Sequence, residues 1–314
     1  TEAGKALRLV IGYDPDEGDD VETKIPGYKT YVVGVRYLKG YYQLLDTISK
    51  VHSSFNQVGT IWTRFSSSSP NGQNVSKKAV LPLRRVFGPP PGYVWIPVDY
   101  EQLELRIFAY ASGDKGLIEA FEKGIDFHMA TACEMFQCGP KEITSERRRA
   151  AKYVNFGIIF GAGPAKVDQQ SGQPGTYNLY MAKFPNARNY MARVMADVET
   201  YGYVKTLGGY RLYVKPEKPY AGVNGIVQGT AGEIVKNAMV NIHECGLVDW
   251  NPPTEELPFG GSSIVCNVHD ELVFQVPASY PYRELGKEIM KNMEEAGRAL
   301  GVVTPVDAKL VTSN

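Results

Sequence analysis

The alternation of apolar and polar positions divides the chain into strand-like ends and a helical middle. "YVWIPVD" is a short apolar strand ending on Asp99, and "EQLELRIFAYAS" directly after it has helical spacing. Three further helices are predicted around residues 115–123, 126–137 and 145–161, and "NARNYMARVMADVETYG" is another, closed by Gly202. "YVKTLGGYRLYV" predicts a hairpin about Gly208 and Gly209, and a long helix begins near Val223. "SSIVCNVHDELVFQVP" predicts two apolar strands joined tightly at His269 and Asp270, followed by the amphipathic helix "YRELGKEIMKNMEEAGRAL" and a final strand. Upstream, residues 55–65 are strand-like before the turn-rich "SSSSPNGQN" and the break at "GPPPG". Residues 1–50 mix an acidic loop, a strand-like "YKTYVVGVRYL" and a helix-like "GYYQLLDTISK". Strands, then helices, then strands again predict an α+β fold, a sheet interrupted by a helical insertion, rather than alternating βαβ units.

Composition alters this picture little. At 314 residues, 43% hydrophobic and 22% charged, the chain can bury a large core, and no apolar run approaches the length a bilayer requires. The formal net charge is zero, so the whole chain offers no electrostatic argument for a nucleic-acid partner and local clusters must carry that case. Basic residues do bunch, at Lys77 and Lys78, at Arg84 and Arg85, and at Arg147 to Arg149. The acidic "DPDEGDD" lacks the spacing and closing Glu of an EF-hand and reads as a solvated loop. Cys133, Cys138, Cys245 and Cys266 form no zinc spacing with the histidines, His128 and Cys133 share a helix by accident, and reduced thiols are expected. The chain begins without Met, as a trimmed fragment would.

Two patterns carry candidate chemistry. Stepping by four from Arg148 gives Lys152, Phe156 and Phe160, which a helix stacks along one stripe. Two cations in line with two rings match a nucleoside triphosphate, anionic at one end and flat at the other. The bland reading is a surface helix with a basic first turn, but cations at a helix start oppose its macrodipole. Gly157, Gly161 and Gly163 weaken the same helix and suggest motion or close approach. Separately, Asp99 ends an apolar strand and Asp270 tips a hairpin, with Glu104 and Glu271 close in sequence. Carboxylates in apolar flanks are costly unless paired or metal-bound, and Mg²⁺ takes one or two protein carboxylates plus substrate phosphates. Taken singly, each acid could equally be an ordinary turn or N-cap Asp. Arg64, Asn74, Asn224 and Gln228 lie in polar, Gly-rich stretches suited to phosphate positioning, minor-groove acceptors or plain turn chemistry.

Together these segments resemble family A DNA polymerases, the bacterial DNA polymerase I type. "VDYEQLELR" is similar to the family's first carboxylate motif, "RRRAAKYVNFGIIFG" to its nucleotide-binding finger helix and "VHDELVF" to its second carboxylate motif, in the family's order, over roughly residues 37–312. The resemblance implies a right-hand architecture, an antiparallel-sheet palm interrupted by helical fingers, with the thumb reduced or absent. It implies a thumb remnant at 1–50, palm at 51–99 and 221–314, and fingers at 100–220. It implies catalytic roles for Asp99, Asp270, Glu271 and Lys152, with Asp99, Asp270 and the Tyr100 backbone carbonyl holding metal. Arg148, Lys152, Phe156, Phe160, Glu104 and Gln102 would hold the nucleotide, Glu104 as gate against a ribose 2′-hydroxyl. Arg64, Asn224, Gln228 and His269 would meet the primer terminus or nearby template.

The implied cofactors are two Mg²⁺ ions, with Mn²⁺ able to substitute, and the implied partners are primer-template DNA and deoxynucleoside triphosphates. No membrane partner, a monomeric state, a cytoplasmic setting, in a bacterial or phage-infected cell or an organelle, and no proofreading domain in this chain are expected. Departures from the family pattern are Phe160 where Tyr is usual, removing a hydroxyl that would bond the gate glutamate, "TIWTRFSS" for a Thr-Gly-Arg-Leu start, and Tyr220 where Arg is common. The rival readings are RNA-templated synthesis on the same palm, and a primer-template binding module with little turnover.

Overall fold

The computed structural model describes residues 41, 43–45, 50–75, 87–249 and 261–312. The strand-like run before Tyr41, the acidic loop and the basic pairs at Lys77 and Arg84 lie outside the described residues. The chain forms two compact units, Thr1–Ser54 with Ser68–Phe87, and Phe55–Ser67 with Gly88–Asn314. In the smaller one, the Tyr41 hydroxyl donates to the Asn71 carbonyl at 2.7 Å. The Tyr41 ring also meets Phe87 edge-on at 5.3 Å.

The larger unit is built on an antiparallel sheet. Its central strand, here β3 (Tyr93–Tyr100), follows the short β1 (Ser54–Asn56) and β2 (Ser66–Ser68) in the chain. On one side β3 pairs with β7 (Glu271–Pro277), itself paired with β6 (Ser263–Val268); on the other it pairs with β8 (Val306–Ala308) and β9 (Val311–Thr312). Strand alternation puts Val94, Ile96, Val98 and Tyr100 on the buried face, level with Leu272, Phe274 and Val276. Helix α9 (Tyr282–Arg298) covers that face with Leu285, Ile289, Met293 and Ala296, all fully buried at helical spacing. Gly286 faces Ile96, which a Cβ there would meet in ordinary van der Waals contact at 3.9 Å, and the Tyr100 hydroxyl donates to the Met293 carbonyl at 2.7 Å. Helix α8 (Ala221–Glu244) packs on α9.

Between β3 and α8 runs the helical block: α1 (Leu103–Ser112), α2 (Lys115–Glu122), α3 (Phe127–Phe136), α4 (Ser145–Ile159), α5 (Pro164–Ser171), α6 (Thr176–Lys183) and α7 (Pro185–Tyr201). It closes on the hairpin of β4 (Tyr203–Lys205) and β5 (Arg211–Tyr213). Asp114, Asp126 and Thr144 cap α2, α3 and α4, each accepting from backbone N–H groups of the first turn. Mixed helix and antiparallel sheet make this an α+β fold, as the pattern predicts. Among the described residues no helix is long and apolar enough to cross a membrane.

Two expectations need correction. Residues 55–65 are strand only as far as Asn56, because side chains there make turns instead: Asn56 accepts from the Val58 N–H at 3.0 Å and Thr60 Oγ1 donates to the Arg64 carbonyl at 3.1 Å. The helix expected through residue 161 stops at Ile159, because Gly161 takes a left-handed φ of 80° and the Ala162 N–H turns back to the Gly157 carbonyl at 2.7 Å. A ring packs there, since a Cβ on Gly161 would come within 2.7 Å of Tyr220.

Candidate active site

Strand register gathers the acids. Asp99 lies opposite Glu271 on β7 and opposite Asp307 on β8, so three carboxylate residues form one row across three strands, on the face away from the core. Neither Asp99 nor Glu271 is isolated; both have further interactions. The β6–β7 turn brings Asp270 to the end of this row, where its carbonyl accepts from the Tyr100 N–H at 3.3 Å. His269 makes the turn tight by adopting a left-handed φ of 59°, and the buried Asn267 side chain clamps it, donating to the His269 carbonyl at 3.0 Å. On the first turn of α1, Glu104 accepts from Arg64, whose guanidinium also stands 3.7 Å from the Asp270 carboxylate. Gln102 precedes that helix in a left-handed conformation, its carbonyl accepting from the Arg106 N–H.

Electrostatics mark Asp270 as the stressed member. Its carboxyl is pushed up to about 6, chiefly by burial, with Glu104 and Asp99 adding repulsion and Arg64 opposing them. The Tyr100 hydroxyl is likewise driven well above its ordinary value by burial and by Asp270 and Glu294. A carboxyl that resists ionising because it is buried, with other acids beside it, is the setting in which a bound cation gains most. Among the described residues no three His, Cys, Asp or Glu side chains enclose an ion by themselves. Asp99 and Asp270 nonetheless fit a hard divalent ion of the Mg²⁺ kind, which completes its shell from water and phosphate rather than from a protein cage.

The α4 stripe survives the shortened helix. Lys152 Nζ lies 5.7 Å from the Phe156 ring centroid, and Phe156 lies 5.8 Å from Phe160, which keeps its N–H on the Phe156 carbonyl at 2.9 Å. At the other end Arg148 donates through Nε to Asp126 at 2.8 Å, so the N-cap carboxylate of α3 also steers the first cation of the stripe.

Beneath lies a network that sequence reasoning missed. The Asn155 amide, fully buried, bonds His128 Nδ1 at 2.9 Å and accepts from Thr131 Oγ1 at 3.1 Å, while the imidazole sits 5.9 Å from Phe156. Burial drives the His128 pKa down to about 4; Asp126 opposes this, and Lys152 and Arg148 add to it. The available signal was an Asp N-cap two residues before a His on the helix preceding the basic one. On α8, Gln228 donates to Asn224 at 2.7 Å, forming one polar pair.

Comparisons with known proteins place the chain in a family. The model of DNA polymerase family A matches residues 19–313, and the chain belongs to that family. It is 34% identical over 302 residues to DNA polymerase I of Caldicellulosiruptor bescii, covering 90% of this chain and 34% of the relative. It is 33% identical over 263 residues to the thermostable DNA polymerase I of Thermus aquaticus, covering 78% of this chain and 30% of that protein. The chain thus spans about a third of the length of these relatives. Among solved structures, the POL domain of Pol1 from M. smegmatis, in complex with DNA primer-template and dNTP, matches with a TM-score of 0.79 and 28% identity over 91% of this chain and 52% of that one.

Proposed function

We propose that this chain is a template-directed DNA polymerase unit that extends a primer 3′-hydroxyl with deoxynucleotides. The observation that carries the reading is the meeting of Asp99, Asp270, Glu104 and Arg64, drawn from three separate segments, at one end of the central sheet. Asp99 and Asp270, with the Tyr100 carbonyl beside them, would hold a pair of divalent cations, and Glu271 is their auxiliary acid. When bound, such ions supply Lewis-acid activation of the attacking hydroxyl and charge neutralisation at the reacting phosphate.

The protein's own groups do the rest. Arg148 and Lys152 neutralise the triphosphate from one helix face, and the Lys152 ammonium donates a proton to the departing pyrophosphate. Phe156 lies flat against the sugar, Phe160 borders the base, and Gln102 holds the nucleotide from the start of α1. Glu104 occupies the space a 2′-hydroxyl would need. Arg64, His269 and the Asn224–Gln228 pair fix the primer terminus and the template beside it, so that attack is in line. In this reading residues 51–99 and 221–314 are palm and 100–220 fingers.

Primer extension with Mg²⁺ on DNA and RNA templates tests the proposal. Extension on the DNA template with deoxynucleotides is expected; preference for the RNA template would assign the palm to RNA-templated synthesis. Tight primer-template binding without extension would leave a binding module and overturn the reading.

A further inference from the structure

We infer that Lys236, whose ammonium bonds the backbone next to Arg64, is a positioning residue for sugar selection: it fixes the backbone that aims Arg64 at Glu104. The inference rests on the polymerase reading and adds a specificity determinant to it.

The chain around Arg64 is held from below. Thr63 adopts a left-handed φ of 60°, a conformation in which a β-branched residue is an outlier, so its surroundings must impose it. Those surroundings are on α8. Gly225 and Gly232 open a shallow trough there: a Cβ on Gly225 would lie 2.8 Å from the Trp62 ring, and one on Gly232 would lie 3.2 Å from the Thr63 carbonyl oxygen. Glycine inside a helix is destabilising relative to alanine, a sacrifice that close backbone approach explains. One turn beyond Gly232, Lys236 Nζ donates to the Thr63 carbonyl at 2.6 Å, with its ammonium 5.5 Å from the Phe65 ring centroid.

On the far side, Thr60 Oγ1 donates to the Arg64 carbonyl at 3.1 Å, and the Thr63 N–H reaches the Thr60 carbonyl at 3.1 Å. The peptide units on both sides of the Arg64 Cα are therefore pinned, and the guanidinium is left to meet Glu104 and, at 3.7 Å, Asp270. The Glu104 carboxylate is tethered by Arg64. A looser Thr63–Arg64 backbone lets Glu104 swing, and the enclosure that excludes a 2′-hydroxyl widens.

The test is single-nucleotide insertion, comparing kcat/KM for a deoxynucleotide and its matching ribonucleotide in the wild-type chain, Lys236→Met, Lys236→Arg and Thr60→Val, with melting temperatures recorded alongside. Lys236→Met is expected to lower the deoxy-to-ribo ratio about tenfold, while Lys236→Arg, which can still donate to the carbonyl, stays within about twofold of wild type. Thr60 is exposed, so Thr60→Val tests the same backbone without risk to folding, and about a threefold fall in the ratio is expected. Equal losses on both sugars, leaving the ratio unchanged in Lys236→Met and Thr60→Val, would reduce Lys236 to a structural role and overturn the inference. A wild-type chain that extends no primer would instead fail the polymerase reading itself.

Discussion

The sheet end and the α4 stripe solve opposite problems with opposite means. At the sheet end, like charges are crowded together and held by register: Asp99 cannot leave the row it shares with Glu271 and Asp307 without unpairing a strand. On α4, cations and rings are spaced along one helix that ends in a left-handed glycine, and the guide for Arg148 is a single half-exposed ion pair with Asp126. Strand pairing gives precision at the cost of electrostatic stress, and helix presentation gives reach with little stress. The acids therefore suit a fixed metal site, and the cations suit a ligand that arrives and departs.

Removing a carboxylate should have the largest effect. Asp270→Asn is expected to reduce primer extension by about 10³-fold or more, and unchanged rates would refute its assignment as a metal ligand. Lys152→Ala should cost about 10²-fold in kcat/KM for deoxynucleotides by removing both a phosphate partner and a proton donor. Arg148→Ala, already shared with Asp126, should cost about tenfold, so a larger loss at Arg148 than at Lys152 would invert the proposed division of labour along the stripe.

The two regions should also titrate in opposite senses. The folded chain holds the Asp270 pKa at about 6, above the ordinary 3.8, so its contribution to stability is present at low pH and is lost as pH rises through about 6. The folded chain holds the His128 pKa at about 4, below the ordinary 6.5, so its contribution is present above 6.5 and is lost as pH falls toward 4. Each is worth up to about 3 kcal/mol, and in the metal-free wild type they largely offset one another between pH 4 and 6.5. Urea unfolding without metal should show Asp270→Asn gaining stability relative to wild type as pH rises across this window, and His128→Gln losing it. Parallel curves for all three proteins would remove the contrast. The smallest effect expected is in Phe160→Tyr: a hydroxyl at the position where the family usually carries Tyr should improve ribonucleotide rejection about threefold, and equal incorporation by both forms would contradict that.

Most of the sheet end was legible in the sequence, because a strand ending in Asp99 and a tight turn at Asp270 are local patterns and strand alternation decides which side each carboxylate takes. The stripe was legible for the same reason, a four-residue period. Pairings that exist only after folding were not. Arg64 and Glu104 are 40 residues apart with nothing in either segment to announce the other. Thr63 hid its left-handed backbone behind a side chain that disfavours it. His128 looked incidental because its partner, Asn155, lies on the next long helix and meets it only through packing. The segment 55–65 misled because its apolar residues belong to a loop, with Val58 and Ile61 exposed and Trp62 seated against α8, where Gly225 makes room for it.

The pairing of β3 on both edges makes it behave like a reading frame. One residue gained or lost between Tyr93 and Val98 would exchange the two sides of the strand, sending the Asp99 side chain into hydrocarbon and a valine or isoleucine out to the opposite face. Length variation among descendants of this sequence should therefore collect in loops, while this strand tolerates exchanges of residue type but never a change in residue number.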